Sequence, residues 1–301
     1  MILALSSAYA DEVQVGGAVD FLGGLDTNRD NAVIGLRQLE GDLRAEGQAL
    51  AFEVQLDTAA TFTGDGVFLY ALGPERLVGE GFGKNWRVAL GVEAAPFRME
   101  SVDPWRNAMV TYTLLSRHVP ASVLGGSFVL GNQQASLTLL AGGELATTNV
   151  FALDTLGPVP FVAGARGKFD VEIVEIGLGA WAGGQGQPVF GGLEVGARVD
   201  AGLVGAQVEA VSDFRSVYAV SAQGEVFPGG LMSPVARVEF APEGFGVGAG
   251  LSSTLFDVLR LKAEATYQAG AAGVFLEAAL FSNWPGDDAP RGGNAARGKN
   301  D

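Results

Sequence analysis

The chain has 301 residues, with 34 Asp plus Glu against 19 Lys plus Arg and a formal net charge of -15. So acidic a surface repels phosphate backbones and argues against nucleic acid as a partner, and the absence of cysteine removes thiolate catalysis and cysteine-ligated metals. Mean hydropathy is nevertheless positive, a pairing unusual in an acidic soluble domain and natural for a barrel that turns apolar side chains to lipid.

The N-terminus, MILALSSAYADE, sets a short apolar run before Ala8-Tyr9-Ala10 and then Asp11-Glu12. A small-x-small triplet ahead of an acidic pair fits the end of a secretory signal, so residues 1–10 are expected to be its remnant; an apolar first strand is the alternative. No stretch reaches the roughly 18 to 20 apolar residues of a spanning helix, so a membrane crossing would be made by strands. The string DTNRDN matches the opening of an EF-hand loop at Asp26, Asn28 and Asp30, but Asn31 stands where that loop needs glycine and Arg37 where it needs the bidentate glutamate. It reads as a polar connection, and no metal or other cofactor is expected.

From there the pattern repeats with period 2. GLRQLEGDLRAEG alternates Gln38, Glu40, Asp42, Arg44 and Glu46 with Leu39, Gly41, Leu43 and Ala45, and AFEVQLDT sets Glu53, Gln55 and Asp57 against Phe52, Val54 and Leu56. LEVGARVD, AQVEAVSDF, SAQGEVF, PVARVEF and LRLKAEATYQ continue it to Gln268. Successive strand side chains point to opposite faces, so each segment has one polar and one apolar face. In a soluble sandwich the apolar face packs inward; in a membrane barrel it faces lipid and the charges line the interior. The 45 glycines, many inside strands, would fill a sandwich core poorly, whereas a wide barrel has no opposing layer to pack.

Connections alternate in length. Tight turns are expected at Glu46-Gly47-Gln48, Gly83-Lys84-Asn85, Gly131-Asn132, Gly167-Lys168, Asp200-Ala201-Gly202, Phe227 to Ser233 and Phe256-Asp257. Between them lie LDTNRDN, TFTGDG, the segment from Phe97 to Pro120, ELATTNVFALDTLG and GGQGQP, several of them longer. Short turns on one rim and longer loops on the other give an all-β fold: a transmembrane antiparallel up-and-down β-barrel of about 16 strands, with roughly 12 to 18 compatible. It occupies residues 11–281 as a single unit, with both termini on the short-turn side and a disordered polar tail over 282–301. Trp86, Phe169, Phe227 and Phe256 beside short turns, and Phe21, Phe62, Phe97, Phe214, Tyr218, Phe245 and Tyr267 toward the other rim, would form two interfacial belts; core aromatics of a sandwich are the alternative. The last strand, GVFLEAALF, ends on Phe281.

The stretch WRVALGVEAAPFRMESVDPWRNAMVTYTLLSRHVPASVLGG, residues 86–126, carries a strand ending in PF, then ESVDP, an Asn, YTLL and a proline before the next strand. It resembles the OmpL-like porins of Gram-negative outer membranes, most clearly over those residues and by pattern elsewhere. The resemblance implies an outer-membrane barrel with a channel role, contacts with lipid and lipopolysaccharide, and a loop able to fold into the lumen. Glu100, Asp103, Arg106 and Arg117 are the matching candidates for a constriction; a loop folded over the rim is the alternative.

Parity then nominates the lumen side chains: the acids Glu40, Asp42, Glu53, Asp57, Glu194, Glu209, Asp213, Glu225, Glu239 and Glu264, and the bases Arg44, Arg198, Arg215, Arg237, Arg260 and Lys262. The acid excess implies mild cation preference, unless cross-strand pairing spends these charges on the wall. His118 is the only histidine, in LSRHVP with no nucleophile signature, so it reads as a solvated loop residue and the chain as no enzyme. A passive porin for small hydrophilic solutes or ions, possible as a homotrimer, accounts for these features together. A non-conducting structural or surface-contact barrel and a soluble secreted β-sandwich are the other classes.

Overall fold

In the computed structural model the described residues are 12–27, 31–63, 66–99, 107–111, 113–120, 122–132, 134–145, 160–184, 189–213, 217–228, 230–256 and 258–282. They form sixteen strands: β1 (Glu12–Asp26), β2 (Asn31–Glu46), β3 (Leu50–Thr63), β4 (Gly66–Gly83), β5 (Trp86–Ala94), β6 (Ser122–Gly131), β7 (Ala135–Leu145), β8 (Phe161–Val171), β9 (Val174–Gly184), β10 (Val189–Asp200), β11 (Val204–Ser212), β12 (Val217–Val226), β13 (Ser233–Ala241), β14 (Gly244–Leu255), β15 (Leu259–Gln268) and β16 (Ala271–Phe281). Each pairs antiparallel with its chain neighbours, and β1 closes on β16 from Ala18 opposite Phe281 to Asp26 opposite Gly273. Closure leaves no free edge.

Alternation decides which way each strand faces. In β13, Ser233, Val235, Arg237, Glu239 and Ala241 are buried, while Pro234, Ala236, Val238 and Phe240 are exposed. Arg237 is 2% accessible and Phe240 62%, the inverse of a soluble sheet. β15 repeats the inversion, with Lys262 and Glu264 buried and Leu261 and Tyr267 exposed. The charges therefore look inward and an apolar skin looks outward, as a sheet standing in hydrocarbon requires.

Seven short connections share one rim, each joining an even strand to the next odd one: 47–49, 84–85, 132–134, 172–173, 201–203, 227–232 and 256–258. One expected turn is displaced. Gly167-Lys168 lies inside β8, where Lys168 faces inward to Asp170 and Glu175, and the chain turns at Glu172-Ile173 instead. The other rim holds the segment 95–121 but also two-residue connections at 64–65, 242–243 and 269–270, so TFTGDG is mostly strand.

Three further expectations change. Asp213 follows the end of β11, after a register shift at Val211/Ser212 breaks the alternation, and is not a wall residue. Phe97 belongs to no belt; it is fully buried inside the barrel. Tyr218 packs edge-on against His118. Trp86, Phe169, Phe227 and Phe256 are exposed beside short turns, and Phe21, Phe245 and Tyr267 are exposed on the outer face. Phe62, Phe214, Arg215, residues 1–10 and the tail beyond Ser282 lie outside the described residues or have side chains that do.

Candidate functional site

The interior of the barrel is the candidate site, and its contents are built from three parts. First, the connection after β5 enters the barrel. Ala95, Phe97, Leu114, Leu115 and Val119 from this segment pack with Val123, Leu140, Val162 and Trp181 of β6 to β9 and with Val211, Ala219 and Ala241 of β11 to β13. The Phe97 ring lies 5.2 Å from that of Trp181. Space for it comes from Gly164: a Cβ there would stand 2.4 Å from Phe97 Cζ and 2.5 Å from the Ala180 carbonyl oxygen. Gly196 makes the same room for Met99, whose Sδ would lie 2.4 Å from an added Cβ. Inward glycines of the wall are thus seats for the segment. Phe97→Ala should empty that seat at a cost of about 3–5 kcal/mol and raise protease cleavage within residues 95–120 of the folded protein more than tenfold; unchanged cleavage would show that the ring does not hold the segment.

Second, wall carboxylates and guanidinium groups hold the segment's backbone. Met99 N donates to Glu209 at 3.1 Å, Leu114 N to Glu239 at 2.7 Å, and Val110 N, Thr111 N and Thr111 Oγ1 to Glu264 at 2.6, 2.8 and 2.6 Å. The opposite polarity is met by arginines: Arg198 donates to the Met99 carbonyl at 2.6 Å, Arg37 to that of Val110 at 2.7 Å, and Arg237 to both the carbonyl and Oγ1 of Thr111 at 2.7 Å. Bonds to ionised partners are the stronger kind, and here they replace the water that an irregular backbone would otherwise need. The segment's 3-10 helix, Leu114–His118, ends at the far rim, where His118 Nε2 lies 3.1 Å from Glu243 and the ring stands 83° to Tyr218. His118 is therefore engaged on two sides rather than free in solvent.

Third, other wall charges pair with one another. On β2 to β5, Arg44 reaches Glu46, Glu53 and Glu80 at 3.0, 2.7 and 3.0 Å, Arg76 reaches Glu53 and Glu80 at 3.2 and 3.1 Å, and Arg87 reaches Glu80 and Glu93 at 2.8 and 3.2 Å. On β8 and β10, Arg166 clasps Glu194 with two nitrogens at 3.0 and 3.2 Å. At the β1/β16 seam, Glu277 takes Lys262 on one oxygen and Arg37 on the other, beside a buried Asp20 whose carboxylate oxygens have no hydrogen-bond partner. A polar cavity of about 230 Å³ remains between Asn107, Ala108 and Thr113 of the segment and a wall that includes Arg198, Gln207, Gln223, Glu225 and Arg260.

Of the side chains nominated from parity, Glu40, Asp42, Arg44, Glu53, Glu194, Glu209, Arg237, Glu239, Lys262 and Glu264 are buried in the interior, and Arg198, Glu225 and Arg260 are half-buried there. The side chains of Asp57 and Arg117, and Glu100, Asp103 and Arg106 altogether, lie outside the described residues. Sequence reading missed Asp20, Arg37, Arg76, Glu80, Arg87, Glu93, Arg166 and Glu277. PERLVGE and WRVALGVE do alternate, and Arg76, Glu80, Arg87 and Glu93 could have been read from them. Arg37 could not, because a register shift between Leu36 and Leu39 turns both Arg37 and Gln38 inward.

No protein-family model matches the chain, and no curated protein matches it. Solved structures do. The trimer form of OmpT, an outer membrane protein of Vibrio cholerae, aligns with a TM-score of 0.64 at 12% identity over 90% of this chain and 99% of that one. An anion-selective porin from Comamonas acidovorans aligns at 0.61 and 13% identity, covering 90% and 99%. An engineered variant of the Rhodopseudomonas blastica porin aligns at 0.58 and 12% identity, covering 90% and 100%. At such identities the likeness is one of fold: the chain is a porin-like closed barrel of sixteen antiparallel strands.

Proposed function

We propose that the protein is a porin of the Gram-negative outer membrane, similar to the OmpL-like porins, that lets small hydrophilic solutes and ions diffuse passively with mild cation preference. One observation carries the reading: a closed sheet with buried Arg237, Glu239, Lys262 and Glu264 on one face and exposed Phe240, Leu261 and Tyr267 on the other is stable where hydrocarbon lies outside and an aqueous space inside. Lipid and lipopolysaccharide are then its surroundings, and assembly of three copies is in keeping with the trimeric Vibrio cholerae neighbour. No chemical step is assigned to it. Selectivity comes from interior charge rather than from fold, which is why an anion-selective neighbour is compatible with a cation-preferring chain. The neighbouring acids Glu40 and Asp42 on β2 would supply the bias.

The refolded protein in planar lipid bilayers is expected to give discrete conductance steps and, in a salt gradient, a reversal potential of the sign for modest cation preference. A clear anion preference would overturn the charge reading. Absence of any step would instead make the protein a non-conducting structural barrel.

A further inference from the structure

The short-turn rim is not uniform. Over β1 to β7 its turn residues include Gln48, Lys84, Asn85, Asn132 and Gln134. Over β8 to β15 the turn tips are instead Ile173, Leu203, Phe227, Leu231, Met232 and Phe256, all exposed, with Leu231 at 72% and Phe256 at 91%. These tips form one continuous strip, because successive hairpins are bonded edge to edge: Asp200 N donates to the Ile173 carbonyl at 2.9 Å, Phe227 N to that of Leu203 at 2.8 Å, and Thr254 N to that of Gly230 at 3.4 Å. Large apolar side chains are rarely left this bare in water.

Two further observations say what covers them. Phe227 and Phe256 both sit at φ 54, a left-handed conformation that strains a bulky residue and that glycine or asparagine would adopt freely. Glu172 in the turn after β8 bears the same conformation at φ 55, so what sets these two turns apart is that a bulky exposed ring is retained at a position glycine would fill without strain. The wall beneath is also short. β11 and β13 have nine residues each and β12 and β15 ten, as short as β5 and β6 of the other half, against fourteen to eighteen in β1 to β4. Nine residues at about 3.3 Å each, tilted by about 45°, rise only about 21 Å, less than the apolar band of about 25 Å usual for such barrels. The exposed apolar wall, through Val204, Val226, Leu251 and Val258, runs directly into the turn tips.

We infer that the short-turn rim from β8 to β15 is a lipid-contacting surface: its apolar turn tips lie in the boundary between headgroups and acyl chains, continue the apolar outer wall and lengthen it where β11, β12, β13 and β15 leave it short. This rests on the membrane-barrel reading above. The contact is apolar, not electrostatic, since the described turn residues on this stretch carry no Lys or Arg. Of the acids nearby, Glu172 is exposed beside Ile173 at the edge of the strip and would keep to the headgroup layer, and Asp200 caps its own turn through the Gly202 amide at 2.9 Å. On the opposite half the tips are polar and apolar exposure begins only at Leu50 and Trp86 just beyond them, so the two halves of the rim would meet the boundary at different depths.

Because the chain has no native cysteine, single-cysteine variants can be spin-labelled cleanly. Labels at Leu203→Cys, Phe256→Cys, Asn85→Cys, Gln134→Cys and, on the outer wall, Leu261→Cys are read in phosphatidylcholine/phosphatidylethanolamine vesicles for collision with oxygen and with a water-soluble nickel chelate. Leu203 and Phe256 labels should resemble Leu261, with oxygen collisions favoured several-fold over their ratio at Asn85 and Gln134. If they are as open to nickel as Asn85 while Leu261 stays in lipid, the strip faces water as the seat of a soluble partner and the inference falls alone. If Leu261 also reports water, the membrane-barrel reading falls with it.

Discussion

Replacing Glu264 with alanine is expected to raise the single-channel conductance severalfold and to make the open current noisy. One carboxylate accepts three hydrogen bonds from two consecutive residues of the inserted segment, Val110 and Thr111. Each bond to an ionised acceptor is worth about 1.5–3 kcal/mol. Their joint loss is smaller than the sum, because Arg237 still holds Thr111, but about 3–4 kcal/mol shifts the ratio of seated to released segment by two to three powers of ten. Glu264→Gln should restore part of the hold, since the amide oxygen still accepts while the charge is gone. If the alanine variant conducts as quietly as the parent at the same level, the segment is not what narrows the lumen.

The same contacts redistribute the roles of the interior acids. Glu209 and Glu239 each give one oxygen to a backbone amide of the segment and Glu264 accepts from two, while Arg37, Arg198 and Arg237 each donate an N–H to one of its carbonyls. These groups fix the path of the segment before they fix any field. The interior charge not committed to the segment is therefore smaller than the composition suggests, and the proposed cation preference would rest on that remainder rather than on the net charge of the chain. Toward the long-loop ends of β6 to β9 much of the interior is apolar: Val123, Leu140, Val162 and Trp181 cluster with Phe97 and Leu114 as a soluble core would. The barrel thus carries an inverted exterior and a conventional small core inside it.

The strands were legible because period 2 is enforced by two opposite solvents. β13 and β15 read correctly residue by residue, and the turns at Lys84-Asn85, Ala201-Gly202 and after Phe256 stand where composition put them. Gly167-Lys168 misled because glycine is a turn signal in water, whereas on a lipid-facing wall it is only a small side chain. The interior was legible by face and not by partner. An amide bonding a carboxylate more than a hundred residues away, as Met99 does with Glu209, leaves no spacing to find. Aromatics near strand ends usually mark an interface, which points Phe97 outward by sequence, and only the space above Gly164 shows it turning in. Asp213 and Arg37 depart from the simple alternation for one reason: a shifted register exchanges the faces of a strand, and sequence does not announce the shift.

Arg44→Met should cost the barrel the most stability of any single interior substitution on the β2 to β5 wall. Arg44 lies between Glu53 and Glu80, whose side chains are 2% and 1% accessible, so its removal leaves two buried carboxylates facing each other with less compensation. Breaking such a buried pair costs about 3–5 kcal/mol. Arg76 still touches both acids and Arg87 touches Glu80, which places the loss near the lower end of that range. At a slope of about 1–3 kcal/mol per molar urea, the unfolding midpoint followed by the heat-modifiable gel shift should fall by about 1–3 M. Adding Glu53→Gln to the same chain should recover part of the loss, because it removes a charge that the first substitution stranded. Lys84→Met, at an exposed position in the neighbouring turn, should leave the midpoint unchanged. Equal midpoints for Arg44→Met and the parent would mean that water reaches this wall freely and that its ion pairs are solvated rather than structural.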